Sequence, residues 1–490
     1  MTMTDELAHS AARGALFTMG AQLARILLQL LSVVILARLL SPHDYGLLAI
    51  ALVVVGVGEI FRDFGLTSAS VQAPTLTNGQ RDNLFWINTG LGAGLAGIAF
   101  LAAWPVSWLT GQSDLLGILQ VLSIVFVVNG LATQYRAQLM RALQFRALAV
   151  ADIVSAALAL GGAVVAALLG AGYWALVVQQ LAAATILLVT LVWFGRWLPG
   201  RYSRQHDVRG LVAFGWHLVV TGLITYGAAQ IDTIVVAAKF GTTSLGLYNR
   251  AFQIIMTPLN QIRSPLTNVA LPVLSRAQEH RERFDHFVTA EQLALGYSLG
   301  LPLLLVCGMA DPVVAIMLGP QWEAAVPLLR CFAIAGALTT LSFVGYWVYV
   351  SRGLSRQLLR YSLVSTTIRA VCIIVGSFFG VIGVGIGFAL APAIAWPVSI
   401  FWLSRITTLP VRALYAGALR MLSASTVTAL AAGAASTLVM PLAGPWAGVA
   451  TGLASAGAVG ALLLLVPALR RDARALTGFA RLMLRRRVSA

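Results

Sequence analysis

The residues of this sequence that could do chemistry are charges and amides set inside long apolar runs. Over residues 15–37, Gln22, Arg25, Gln29 and Ser32 recur at spacings of three, four and three, which puts them on one stripe of a helix. Over 211–234, His217, Thr221 and Thr225 share a face, with Asp232 near the end of the run. The densest set lies over 244–270, where Arg250, Gln253, Thr257, Asn260 and Ser264 stay in register, flanked by Asn249, Gln261, Arg263 and Asn268. A charge at bilayer depth costs about 2.5–3.5 kcal/mol on insertion scales, so it faces water or a partner rather than lipid. Such stripes either line a hydrated cavity or join packed helices through hydrogen bonds and ion pairs.

A second cluster stands in "VGVGEIFRDFGL" (55–66), where Glu59, Arg62 and Asp63 fall on one helical face at spacings of three and four. Arg62 can be neutralised there by two carboxylates. The cluster reads equally as an ion-pair knot that fixes a helix end and as a gate. Other motifs carry less. The glycines of "GLGAGLAG" (90–97) sit inside an apolar span with no preceding strand, which means close helix packing rather than a nucleotide loop. His280 and His286 share a charged loop without a ligand set, and Cys307, Cys331 and Cys372 lie singly in apolar segments. No nucleophile stands beside a base, so no catalytic residue, metal ligand or cofactor is expected.

The elements that must hold these residues follow from composition. Of 490 residues, 59% are hydrophobic and 10% charged, against about a quarter charged in soluble domains. The chain is therefore an all-α polytopic membrane protein. Apolar windows place helices at 15–37, 45–64, 84–106, 114–134, 148–170, 172–194, 211–234, 244–270, 287–310, 323–349, 359–380, 382–403, 414–438 and 446–468, about fourteen in all. The net charge of +16 comes from arginines in alternate connections, such as "YRAQLMRALQFRA", "GRWLPGRYSRQHDVR" and "SRAQEHRERFD", and in the tail. The opposite connections hold only Arg38 and Lys239, the one lysine. The positive-inside rule then puts both termini in the cytoplasm and makes nucleic acid an unneeded partner.

The sequence also repeats. "LARLLSPHDYGLLAIA" (36–51) and "VAAKFGTTSLGLYNRA" (236–251) align at an offset of about 200 residues, each with a polar turn, a Gly-Leu and a new helix. That spacing predicts two pseudo-symmetric six-helix lobes around a central cavity, at 1–194 and 211–403. A linker at 195–210, two further helices at 404–468 and a basic tail at 469–490 complete the division. The tail is suited to anionic lipid.

Three stretches carry a family likeness: "LARLLSPHDYGLLAIALVVVGVGEIFRDFGLTSASVQ", "DTIVVAAKFGTTSLGLYNRAFQIIMTPLNQI" and "MLGPQWEAAVPLLRCFAIAG". In this order they resemble the polysaccharide transporter family, the Wzx-type lipid-linked oligosaccharide flippases of bacteria, within the multidrug/oligosaccharidyl-lipid/polysaccharide exporter superfamily. The resemblance implies alternating access and movement of an undecaprenyl-diphosphate-linked sugar unit between leaflets of the inner membrane. It also implies work alongside a polymerase and glycosyltransferases. In the superfamily the first, second, seventh and eighth helices line the cavity, and "FRDFGL" matches a family motif at Arg62, Asp63, Gly65 and Leu66. On that likeness Arg25, Arg250 and Arg263 are expected to meet the diphosphate, since guanidinium groups bind phosphate in bidentate fashion. Gln22, Gln29, Gln253 and Asn260 would line the cavity with them, while Glu59 and Asp232 become candidates for proton or cation coupling. A lipid II flippase and a cation-coupled multidrug exporter share the architecture. A membrane-embedded glycan polymerase or ligase needs a large periplasmic loop, and the loops on that side have about a dozen residues or fewer.

Overall fold

The computed structural model describes residues 3–64, 76–203 and 209–474, with side chains from residue 20 onward except at 21, 61–64, 209–215, 217, 218 and 264. Every described element is a helix. The first unit holds α1 (Met3–Leu39), α2 (Pro42–Phe64), α3 (Asn78–Thr110), α4 (Asp114–Leu122), α5 (Ile124–Arg141), α6 (Phe145–Leu168), α7 (Trp174–Gly195), α8 (Arg209–Ala229) and the start of α9 (Ile231–Ala277). The second holds the rest of α9, α10 (Arg281–Leu295), α11 (Leu301–Gly308), α12 (Ala310–Met317), α13 (Val326–Ser351), α14 (Ser355–Gly376), α15 (Gly380–Ile406) and α16 (Val411–Leu463). The two units meet in sequence after Gly246.

Local chemistry sets the ends and breaks. At the start of α3, Thr77 Oγ1 accepts from the Gln80 amide at 3.3 Å while Gln80 Oε1 accepts from the Thr77 amide at 3.1 Å, a reciprocal capping box. Gly111 closes that helix in the left-handed region at φ 65°. Gly241, at φ 77° and ψ −179°, divides α9 into two arms, and Gly444 does the same in α16. A residue with a Cβ resists that backbone geometry. Among the described residues ten helices are long and apolar enough to cross a membrane, or eleven when the pair α8 and α9, bent by 45°, counts as one. The sequence reading divides the same chain into about fourteen apolar windows. The helical stretches 355–406 and 411–463 each contain two of those windows, joined by the Ser377–Phe379 turn and by Gly444. Likewise the seventh expected span continues past a break at Gln230 as far as Gly241.

Close crossings at glycine hold the bundles. In the first unit Gly92 of α3 and Gly130 of α5 face each other, and a Cβ on either would stand 2.5 Å from the Phe126 carbonyl or 2.7 Å from that of Asn88. The repeat is visible in another crossing. A Cβ on Gly46 would land on the Thr242 carbonyl oxygen, and one on Gly246 would land on the Pro42 carbonyl oxygen. These four positions are pairwise 200 apart, so the contact maps onto itself under the sequence repeat.

The connection after α7 is fastened to α3. Asn83 donates through Nδ2 to the Ser203 carbonyl at 2.6 Å and accepts from its amide at 2.9 Å, while Trp86 Nε1 donates to the Gly200 carbonyl at 2.8 Å. The Arg81 guanidinium lies 4.0 Å over the Trp197 ring. At the other end of the chain, Asp472 is buried and takes two hydrogen bonds from Arg420 at 2.9 and 3.1 Å, leaving Arg470, Arg471 and Arg474 exposed. Arg481 and Arg485–Arg487 of the tail lie outside the described residues.

Candidate functional site

In the first unit the stripe of α1 meets α6. Ser32 accepts a 2.8 Å hydrogen bond from Gln179 of α7, while Arg25 points an Nη1 at Asp152 of α6 across 3.8 Å. Asp152 is held from a third helix. Arg136 of α5 grips both of its oxygens, at 2.9 and 3.1 Å. Two guanidinium groups thus share one carboxylate and leave a positive surplus. The Arg25 side chain is 54% exposed and that of Asp152 19%. Gln22 is half-buried and Gln29 exposed on the same helix.

In the second unit the long arm of α9 carries the other stripe. Arg250 is buried, with 8% of its surface exposed. Gln253 is half-buried and Asn260 exposed. The Arg263 guanidinium lies 5.2 Å from the centre of the Phe343 ring and 5.0 Å from that of Tyr346, both on α13. One turn on, Thr267 Oγ1 accepts a 2.9 Å hydrogen bond from Trp347 Nε1. Aromatic faces attract and orient a planar cation, so these rings fix the guanidinium plane without neutralising its charge.

Glu59 is exposed on α2, and the side chains of Arg62 and Asp63 lie outside the described residues, as do Gly65, Leu66 and the side chains of His217 and Ser264. Asp232 is buried in the first turn of α9, where a carboxylate complements the helix dipole. Among the described residues no three His, Cys, Asp or Glu side chains are placed to hold a metal ion.

Sequence reasoning missed Arg136, Asp152, Phe343 and Tyr346, because each partner belongs to a helix whose own stripe looks unremarkable. One signal was available for Asp152, the single acidic residue in the 145–168 run. Glu291 of α10 was also missed. It is buried, and its Oε2 has no hydrogen-bond partner among the described residues.

The fold and its long apolar helices define a polytopic helical membrane protein. The structure is similar to that of the lipid II flippase MurJ in an inward closed conformation, with a TM-score of 0.67 and 14% identity over 92% of this chain and 99% of that one. A family model described as "Polysaccharide biosynthesis protein" matches residues 35–327, and the chain belongs to that family. It is 24% identical to the lipopolysaccharide biosynthesis protein WzxC of Escherichia coli (strain K12), over 79% of this chain and 80% of the relative. It is 27% identical to the succinoglycan biosynthesis transport protein ExoT of Rhizobium meliloti (strain 1021), over 66% of each.

Proposed function

We propose that the protein is a flippase of the bacterial inner membrane that moves an undecaprenyl-diphosphate-linked oligosaccharide repeat unit from the cytoplasmic to the periplasmic leaflet by alternating access. Its product would be a surface polysaccharide: O-antigen, capsule or exopolysaccharide. The observation that carries this reading is the set of guanidinium groups held within apolar helices, Arg25 with Arg136 in one unit and Arg263 on its two rings in the other. An anionic head group needs such donors in a path of low dielectric, whereas a cationic drug would be repelled by them. Relatives in lipopolysaccharide and succinoglycan biosynthesis support a glycan cargo.

Gln22 and Gln29 in the first unit, and Gln253 and Asn260 in the second, are assigned to offer amides to the cargo, and Arg250 to add charge within the second. Glu59, Arg62 and Asp63 are assigned to gating, and Asp232 to coupling. Both termini are placed in the cytoplasm, from the arginine bias, and the polymerase and glycosyltransferases of one pathway are the expected partners. Cargo movement without catalysis fits the short loops opposite the arginines. A lipid II cargo is the second reading, favoured by the fold of MurJ, since that lipid carries the same diphosphate.

The test is reconstitution in liposomes, following protection of a fluorescent undecaprenyl-diphosphate oligosaccharide. Wild type should protect it, and Arg25→Ala and Arg263→Ala at equal insertion should lose most of the rate, roughly tenfold or more for a lost charge-assisted pair. Protection of lipid II but not of the oligosaccharide would select the second reading. Export of a small cation against a proton gradient would overturn both.

A further inference from the structure

We propose that Asp152 is an internal stand-in for the cargo's anion, a carboxylate that occupies the guanidinium groups of Arg136 and Arg25 between transport events and yields them to an incoming phosphate. This rests on the flippase reading and adds an exchangeable anion site to it.

Geometry comes first. Arg136 meets Asp152 with a pair of parallel contacts at 2.9 and 3.1 Å, the fork that guanidinium presents equally to carboxylate and to phosphate. Arg25 approaches the same carboxylate from α1 but stops at 3.8 Å, so one cation is fully engaged and the second only partly. Charge is consistent with exchange: two guanidiniums around one carboxylate are under-neutralised, and a diphosphate diester, with one negative charge on each phosphate, would match them. Neither guanidinium is fully enclosed by protein: the side chains of Arg25 and Arg136 are 54% and 32% exposed. The Arg25 contact, longer and more exposed than the Arg136 fork, is the one a better anion displaces first.

Position agrees as well. Arg136 stands near the end of α5 at Arg141, and Asp152 two turns past the start of α6 at Phe145. Both therefore lie beside the connection that carries Arg141 and Arg146, on the arginine-bearing side from which a cytoplasmic cargo would enter. Without Asp152 the arginines would hold the head group tightly and release it slowly. With it, departure of the phosphate is assisted by a carboxylate already tethered in place.

The experiment measures inorganic pyrophosphate binding to the full-length protein in detergent. Asp152→Asn should bind about fivefold more tightly than wild type, the change expected from deleting a half-exposed competing ion pair. Asp152→Glu should return to the wild-type value, and Arg136→Gln should lose binding. If Asp152→Asn folds but binds more weakly or equally, the carboxylate merely positions the arginines and the proposal is wrong. A second measurement needs no variant. In wild type, carbodiimide modification of Asp152, mapped by mass spectrometry, should rise when pyrophosphate is added; modification that stays constant while pyrophosphate binds would also overturn the proposal. Neither readout uses translocation, so anion exchange in a protein that moves no lipid-linked sugar would sink the flippase reading and leave the site.

Discussion

At the scale of single residues, the environment of each arginine decides what it can do. Arg263 has two aromatic rings beneath it, at 5.2 and 5.0 Å, where Arg25 has a carboxylate at 3.8 Å. A ring orients the cation and keeps its field available, whereas a carboxylate partly cancels it. Arg263→Lys therefore keeps the charge but loses the planar fork and much of the stacking. Translocation of the lipid-linked sugar in liposomes should fall about tenfold for a loss of 1–1.5 kcal/mol. Tyr346→Phe keeps the ring and should stay close to wild type, while Tyr346→Leu should follow Arg263→Lys. Equal rates for Tyr346→Leu and wild type would mean that the ring is packing only. Its charge within 244–270 marked Arg263 as exceptional in a membrane span, but its rings belong to α13, and a pattern read along one helix contains nothing about the face of another.

At the scale of elements, glycine and proline do opposite things in these helices. Gly46 and Gly246 lie where a Cβ would strike a backbone carbonyl, and backbone does not move aside as a side chain can. Gly90 and Gly94 of α3 have open space around the same position. Gly46→Ala should therefore lower the thermal midpoint of the purified protein, with a cost of roughly 1–3 kcal/mol for overpacking. Gly90→Ala should hold or raise it, since alanine favours a helix interior by about 0.5–1 kcal/mol. The long arm of α9 carries Pro258, Pro265 and Pro272, seven positions apart. Each lacks the backbone donor that a helix offers to the carbonyl four residues earlier. Those carbonyls belong to Ile254, Gln261 and Asn268, and the heptad spacing sets them nearly along one line. Pro265→Ala returns a donor to the Gln261 carbonyl and stiffens the arm. The expected result is unchanged or higher thermal stability with slower translocation, and faster translocation would show that Pro265 does not serve transport.

At the scale of the whole molecule, composition alone settled membrane class, because a chain with 10% charged residues cannot dress a soluble surface. The repeat was legible too, down to the offset of 200 that reappears in the Gly46 and Gly246 crossing. How neighbouring spans join was not, because Gly241, Gly444 and the Ser377–Phe379 turn break helices without inserting a polar loop. The carboxylate between Arg25 and Arg136 was not legible either, since it depends on three helices meeting. Orientation joins the two scales. If the arginine-bearing connections face the cytoplasm, Asp152 and its arginines lie on the side from which the proposed cargo would enter, and the turn at Gly111 lies opposite. In a chain with Cys307, Cys331 and Cys372 replaced by alanine, a cysteine at Gln112 should react with an impermeant maleimide in spheroplasts, and one at Gly353 only after permeabilisation. The reverse pattern would put the anion site at the exit of the path. A site that binds phosphate at the exit retards release instead of aiding capture, so the same arginines would then work against export.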